Sequence, residues 1–309
     1  MAISETEPSV DRRGIFSWCL YDWANSPFPA IVMTFVIPAY FTQAVAADAA
    51  LASEQWGWMM SLTALAIALL SPVLGAIADQ GGGRRPWLAV CTVIVAVASA
   101  ALWLVHPDPA DTVLLLWLVA LGILGFELGM VFYNAMLPGL APERLVGRVS
   151  GWAWGLGYFG GLAGLLVVLF GFVQTDRPLF GLDKAAAEHV RIAGPVVAAW
   201  LLLFCLPVFI WTPDRGGAGL KTGAAIRTGA RTLIATLRVL PQHGRLVRYL
   251  VSRMIYIDGI NTLFAFGGIF AAGTFGMSVE EVITFGLLLN VTAGLGAFGF
   301  AWVDDFIGA

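Results

Sequence analysis

The sequence predicts an all-α integral membrane protein built from transmembrane helices, and three observations carry that prediction. Of its 309 residues, 59% are apolar and only 12% are charged. With a mean hydropathy of +0.83, it holds more hydrophobic side chain than a water-soluble core of this length hides. Eight apolar stretches are each long enough to cross ~30 Å of hydrocarbon, which takes about 20 helical residues. A polar signature, Asp22-Trp-Ala-Asn25, is written into the first stretch and again as Asp258-Gly-Ile-Asn261 in the seventh.

The stretches run over residues 15–45, 55–78, 87–105, 112–137, 149–173, 191–211, 249–275 and 279–303. They are too long and too uniform for barrel strands, which are ~10 residues of alternating polarity. The first follows a polar leader, carries Asp22 and Pro27 and has no small-residue cleavage site, so it is expected to stay as a span. Positive residues stay in the cytoplasm. A cytoplasmic N-terminus leaves only Arg177, Lys184 and Arg191 of the 17 Lys and Arg outside, so the expected location is a cell membrane, crossed many times, as in a bacterial inner membrane.

Residues from Thr212 to Arg248 are the longest polar segment, with Pro213, three glycines between Gly216 and Gly219, and a run of basic residues. The expected division is a six-helix bundle over 1–213, a basic cytoplasmic linker over 214–248, and the first two helices of a second bundle over 249–309. Within the linker, Ile226, Leu233, Leu237 and Leu240 fall at helical intervals among basic residues. It reads either as a solvated connector or as an amphipathic helix on the inner membrane surface.

A second recurrence supports duplication. Gly75-Ala-Ile-Ala-Asp79-Gln-Gly-Gly82 returns as Ala301-Trp-Val-Asp-Asp305-Phe-Ile-Gly308 at nearly the same offset as the first pair. Repeated halves with polar groups at mid-membrane are the build of secondary transporters. If the second half continues as the first does, the chain holds eight of twelve helices.

The run Gly75-x-x-x-Asp79-x-x-Gly82-x-Arg84-Arg85 resembles the signature of the major facilitator superfamily between its second and third helices. In it, Gly allows close helix approach, Asp79 caps or pairs with a cation, and the arginines meet acids or helix C-termini across an inner gate. Asp305 repeats the acid. Gln80 and Gly83 stand where that pattern has basic residues, which thins the positive cluster. Three further runs, Trp18-Cys-Leu-Tyr-Asp22-Trp-Ala-Asn25-Ser26, Phe132-Tyr133-Asn134-Ala-Met-Leu-Pro138 and Gly151-Trp-Ala-Trp-Gly-Leu-Gly-Tyr-Phe-Gly-Gly161, resemble the vacuole-effluxer-like branch of the superfamily. That branch includes bacterial transporters of uncharacterised substrate and fungal autophagy-related vacuolar amino-acid exporters. The resemblance covers the whole chain and implies two six-helix bundles and efflux of small solutes, amino acids among them.

An ionisable side chain inside the bilayer costs at least ~2.5 kcal/mol, so Asp22, Glu127 and Asp258 are the first candidates for function. A carboxyl whose surroundings alternate between water and low-dielectric protein binds and releases a proton as they change. Glu127 or Asp22 is the expected proton carrier, with Asn25, Tyr133, Asn134 and Asn261 on the solute pathway. Asp22 and Asn25 are three residues apart, as are Asp258 and Asn261, so each pair shares a helix face. Capping at a helix break near Pro27, Pro29 or Gly259 is the alternative for the two aspartates, and a plain interhelical hydrogen bond is the alternative for Glu127 and Asn134. Gly151, Gly155, Gly157, Gly160, Gly161 and Gly164 place small-xxx-small pairs on the fifth span and read as helix packing.

Other classes find no support. There is no Walker sequence, HExxH or GxSxG, the three His are scattered, and Cys19, Cys91 and Cys205 have neither CxxC nor zinc spacing and read as packing groups. The expectation is a non-enzyme with no cofactor or metal and no nucleotide or nucleic-acid partner, handling a small solute and protons within a lipid bilayer. A transporter-like receptor or assembly partner without transport is the alternative. Asn290-Val-Thr292 matches a glycosylation sequon but lies inside a span, where it is discounted.

Overall fold

The computed structural model describes residues 11–80, 83–175, 179–214 and 222–292. Within them, the side chains of residues 79, 80, 143, 144, 261, 264 and 265, and of half the helix after residue 221, are not described. In chain order the long helices are α1 (Arg12–Val45), α2 (Ala49–Gln80), α3 (Arg85–Leu104), α4 (Pro109–Leu140), α5 (Leu145–Val173), α6 (Glu188–Trp211), α7 (Thr222–Val239), α8 (Gly244–Thr274) and α9 (residues 279–292). Among the described residues, α1 to α6 are long and apolar enough to cross a membrane. Helix α8, at 31 residues, is longer than the ~20 a crossing needs. Helices α1 to α6 begin a few residues before the apolar stretches do, because an interfacial first turn tolerates polar residues that hydropathy discounts. One such start is Asp11, whose carboxylate accepts from the Gly14 N–H at 2.9 Å.

Three prolines set the course of α1. Pro27, Pro29 and Pro38 lack an N–H, so the carbonyl four residues back loses its ordinary partner. The backbone responds with π-turns over Phe28–Phe35 and Phe41–Val45, an adjustment by which membrane helices continue through proline. The break considered for Asp22 therefore does not form. The Ser26 N–H reaches the Asp22 carbonyl at 3.1 Å, and the helix runs on. Helix α8 likewise passes unbroken through Gly259. The Trp23 carbonyl, released by Pro27, accepts instead from the indole N–H of Trp200 on α6 at 3.1 Å.

Helix α1 lies at the centre of the first six helices, packed against α5 and α6, while α4 packs on α2 and α3, and α3 on α6. Trp18 and Tyr133 join α1 to α4 with parallel rings 4.2 Å apart. Each also donates to the other's backbone carbonyl, the indole at 3.0 Å and the phenol at 3.1 Å. The Tyr21 hydroxyl adds α3 through Thr92 Oγ1 at 2.8 Å. Two of the sequence runs that suggested a family are thus one interlocked contact. Gly160 on α5 lies so close to α1 that a Cβ there would stand 2.5 Å from the Trp23 carbonyl oxygen, whereas Gly151 and Gly155 face open space. All three cysteines are free and buried.

The second half meets the first along one end of α1. Gly268 of α8 rests on the Thr34 carbonyl, Gly286 of α9 on the Phe35 ring, and Gly273 of α8 beside Thr42 and Ala49. The Gln43 amide closes this end by donating to the Met277 carbonyl. Ile269, Ala271 and Ala272 of α8 are buried there, but every residue of α8 from 248 to 259 is exposed.

Candidate functional site: a cavity shared by the two halves

Between α1, α2, α4, α5, α8 and α9 lies a cavity of about 1190 Å³. Asp22, Asn25, Glu127 and Asp258 all line it, so acids from three separate helices converge on one space. Asn25 is 5% exposed and its amide reaches Met130 Sδ at 3.5 Å, which sets α1 and α4 level at this height. Phe28 stacks on Phe126 one turn further out, with ring centroids 5.6 Å apart, and Glu127 is next to it. Tyr133 does not line the cavity; it is fully buried and its hydroxyl is spent on the Trp18 carbonyl, a supporting position. Asn134 is exposed and outside the cavity. The Asn261 side chain lies outside the described residues.

The sequence reading missed part of the lining. Glu54 and Trp58 of α2 and Trp154 and Tyr158 of α5 face the cavity, on helices whose uniform hydrophobicity gave no sign of an inward face. Asn290, set aside as a stray sequon, also lines it and holds the Gly286 carbonyl at 2.9 Å.

At the end of the bundle away from the Gln43 contact the arginine pair finds the partners its chemistry asks for, but inside the first six helices. Asp214, just past α6, accepts from the backbone N–H of Arg84 at 2.8 Å and of Arg85 at 3.2 Å. It also stands 3.8 Å from the Arg85 guanidinium. Arg85 donates to the Phe209 carbonyl at 2.7 Å and Arg84 to the Ala78 carbonyl at 2.8 Å, so both serve helix C-termini. Among the described residues, no neighbour lies within 4 Å of a Cβ at Gly75, where a close helix approach was expected. The Asp79 side chain, Gly82, Asp305 and the repeat over 301–308 lie outside the described residues. At the opposite end, buried Arg191 donates to the Trp103 carbonyl and lies over its ring at 5.0 Å. Its guanidinium also reaches the His106 ring at 3.3 Å, and His106 in turn meets Asp111.

A helical bundle enclosing a cavity shared by two halves defines a multi-pass membrane transporter fold, and solved structures agree. The chain resembles the xylose transporter XylE of E. coli in a partially occluded inward-open conformation, with a TM-score of 0.61 at 16% identity, covering 97% of this chain and 74% of that one. It also resembles a D-xylose-proton symporter, with a TM-score of 0.65 at 15% identity, covering 94% and 70%. A family model described as vacuole effluxer Atg22 like matches residues 56–309. The chain belongs to that family, and its helices have a major-facilitator-type fold. The uncharacterized MFS-type transporter YxiO of Bacillus subtilis is 30% identical over 250 residues, 80% of this chain and 57% of that protein. Autophagy-related protein 22 of Yarrowia lipolytica is 25% identical over 170 residues, 48% of this chain and 28% of that protein. The chain therefore spans little more than half the length of YxiO and about a quarter of the fungal relative.

Proposed function

We propose that this protein is a secondary active transporter that moves a small polar solute by alternating access, with a proton carried on Glu127 or Asp22. The observation that carries this reading is that Asp22 and Asp258, which occupy corresponding places in the two halves, line one cavity with Glu127. Among the described residues, contact between the halves is concentrated at the Thr34 to Gln43 end of α1, which the positive-inside bias makes the outer end, while residues 248 to 259 of α8 are exposed toward the other end. This supports an inward-facing state with a cytoplasmic N-terminus. Residues 1–213 and 249–309 then belong to two rocking bodies joined by the basic segment 214–248. In the outward-facing state the inner ends close, and the open face of Gly75, with Asp79, Gly82, Arg84, Arg85 and Asp305, is where the bodies meet. The family's description as effluxers supports outward movement, and the resemblance noted in the sequence supports solutes of amino-acid size. The decisive test is Glu127→Gln in proteoliposomes. Solute flux driven by a pH gradient is expected to be lost while counterflow exchange persists; undiminished gradient-driven flux removes Glu127 from coupling.

A further inference from the structure

Resting on the transporter reading, we infer that the solute's charged part is a cation: a protonated amine on an apolar or aromatic body, with no free carboxylate. The cavity lining decides the sign. Among the described residues that line it, Asp22, Glu54, Glu127 and Asp258 are acids, and none is Lys, Arg or His. Arg253, five residues before Asp258 on α8, is exposed and does not line the cavity, and the arginines at the two ends of the bundle are committed elsewhere. Arg191 and His106 hold the outer end, and Arg84 and Arg85 hold Asp214 and helix carbonyls.

The acids extend through the depth of the space. Glu54 lies in the second turn of α2 at the outer rim, Glu127 at mid-depth, and Asp22 lower on α1. Phe266 of α8 packs on Gly57 of α2, and Asp258 lies eight residues before it, about 12 Å inward at 1.5 Å per residue. An ammonium crossing the cavity therefore has a carboxyl at each stage. Trp58, Phe126, Trp154 and Tyr158 provide ring faces that attract a cation, and Met33, Met60 and Met130 provide a polarizable apolar surface.

An anion meets the reverse. Its carboxylate would lose water without gaining a counterion, and the amide groups of Asn25 and Asn290 are turned to Met130 Sδ and the Gly286 carbonyl. The lining therefore selects against carboxylates by repulsion as much as it selects for amines by attraction.

Three probes with one body and different charge test this: phenethylamine, phenylalanine and 3-phenylpropionate, assayed with the full-length protein in proteoliposomes. Saturable uptake of phenethylamine is expected, with propionate uptake at background and phenylalanine well below the amine. Phenylalanine or propionate carried as well as the amine overturns the inference and leaves the transporter reading standing. No saturable flux of any probe, with an imposed pH gradient undisturbed by all three, overturns both. Asp258→Asn is expected to weaken phenethylamine binding about tenfold, the loss of one charge-assisted contact. Glu54→Gln, at an exposed rim position where folding tolerates change, is expected to raise its KM several-fold. Unchanged binding and KM in both variants overturns the cation assignment.

Discussion

Helix α1 carries two seams built on the same local device and differing in what surrounds it. At Trp23 and at Thr34 a proline four residues on, Pro27 and Pro38, removes the N–H that would have bonded the carbonyl, and in both places a glycine from another helix lies against the bared backbone. At Trp23 the glycine is Gly160 of α5, and the site is locked. Trp200 donates to the carbonyl, its ring stacks on Trp23 at 5.4 Å, and the Trp18–Tyr133 contact lies just over one turn away. At Thr34 the glycine is Gly268 of α8, and the contacts along that seam are mostly between small or apolar groups, with the single Gln43 amide bond at the rim. Lipid supplies no hydrophobic force between helices, so directional hydrogen bonds and close packing set how firmly a seam holds. The first seam is bonded and the second is smooth, as expected of one joint within a rigid body and another between bodies that rock.

Four substitutions probe that contrast, taken from the largest expected loss of stability to the smallest. Trp18→Ala removes the stacked ring and the indole hydrogen bond to the Tyr133 carbonyl, so it should cost about 3–5 kcal/mol, read as a large fall in thermal unfolding temperature in detergent. Gly160→Val drives a side chain into the backbone of residue 23, which cannot turn aside, and should cost about 1–3 kcal/mol; a stability equal to wild type would mean the seam is looser than described. Asp214→Ala takes the carboxylate acceptor from the backbone N–H groups of Arg84 and Arg85 and the counter-charge from the Arg85 guanidinium, a loss of about 1 kcal/mol, checked by the same unfolding measurement. Gly268→Val sharpens the comparison most. It should change stability by less than Gly160→Val, because the smooth seam can part. A cysteine placed at Thr34 should then react faster with an impermeant thiol reagent added outside, the three native cysteines being buried. Equal destabilisation by both glycine variants, with no gain in labelling, would erase the distinction.

Much of the fold was readable before any coordinates. Charge and hydropathy placed the spans, since bilayer thickness and desolvation act on each segment alone. The duplicated Asp and Asn marked α1 and α8 as cavity helices, because an acid has few other reasons to lie in a span. Glu54, Tyr158 and Asn290 were not readable in this way. Glu54 sits near a span end, where acids are cheap, and a hydroxyl or amide in an apolar helix carries no sign of its direction. Asn134 shows the converse: a polar residue directly after two buried aromatics, Phe132 and Tyr133, drew a pathway role, yet it is exposed and outside the cavity.

The sequence by itself determined that this chain crosses a membrane many times, that its charges gather between the spans, and that two of its segments repeat one another, since the placing of each short segment in lipid or water depends on its own residues. Only the tertiary structure decided that four carboxyls share a cavity described without a cation, that Asp214 receives both arginine N–H groups, and that Gly160 and Gly268 press on bared carbonyls. Those outcomes depend on which helix faces turn toward one another, and that rotation is fixed by interhelical packing and hydrogen bonds rather than by any one helix's composition.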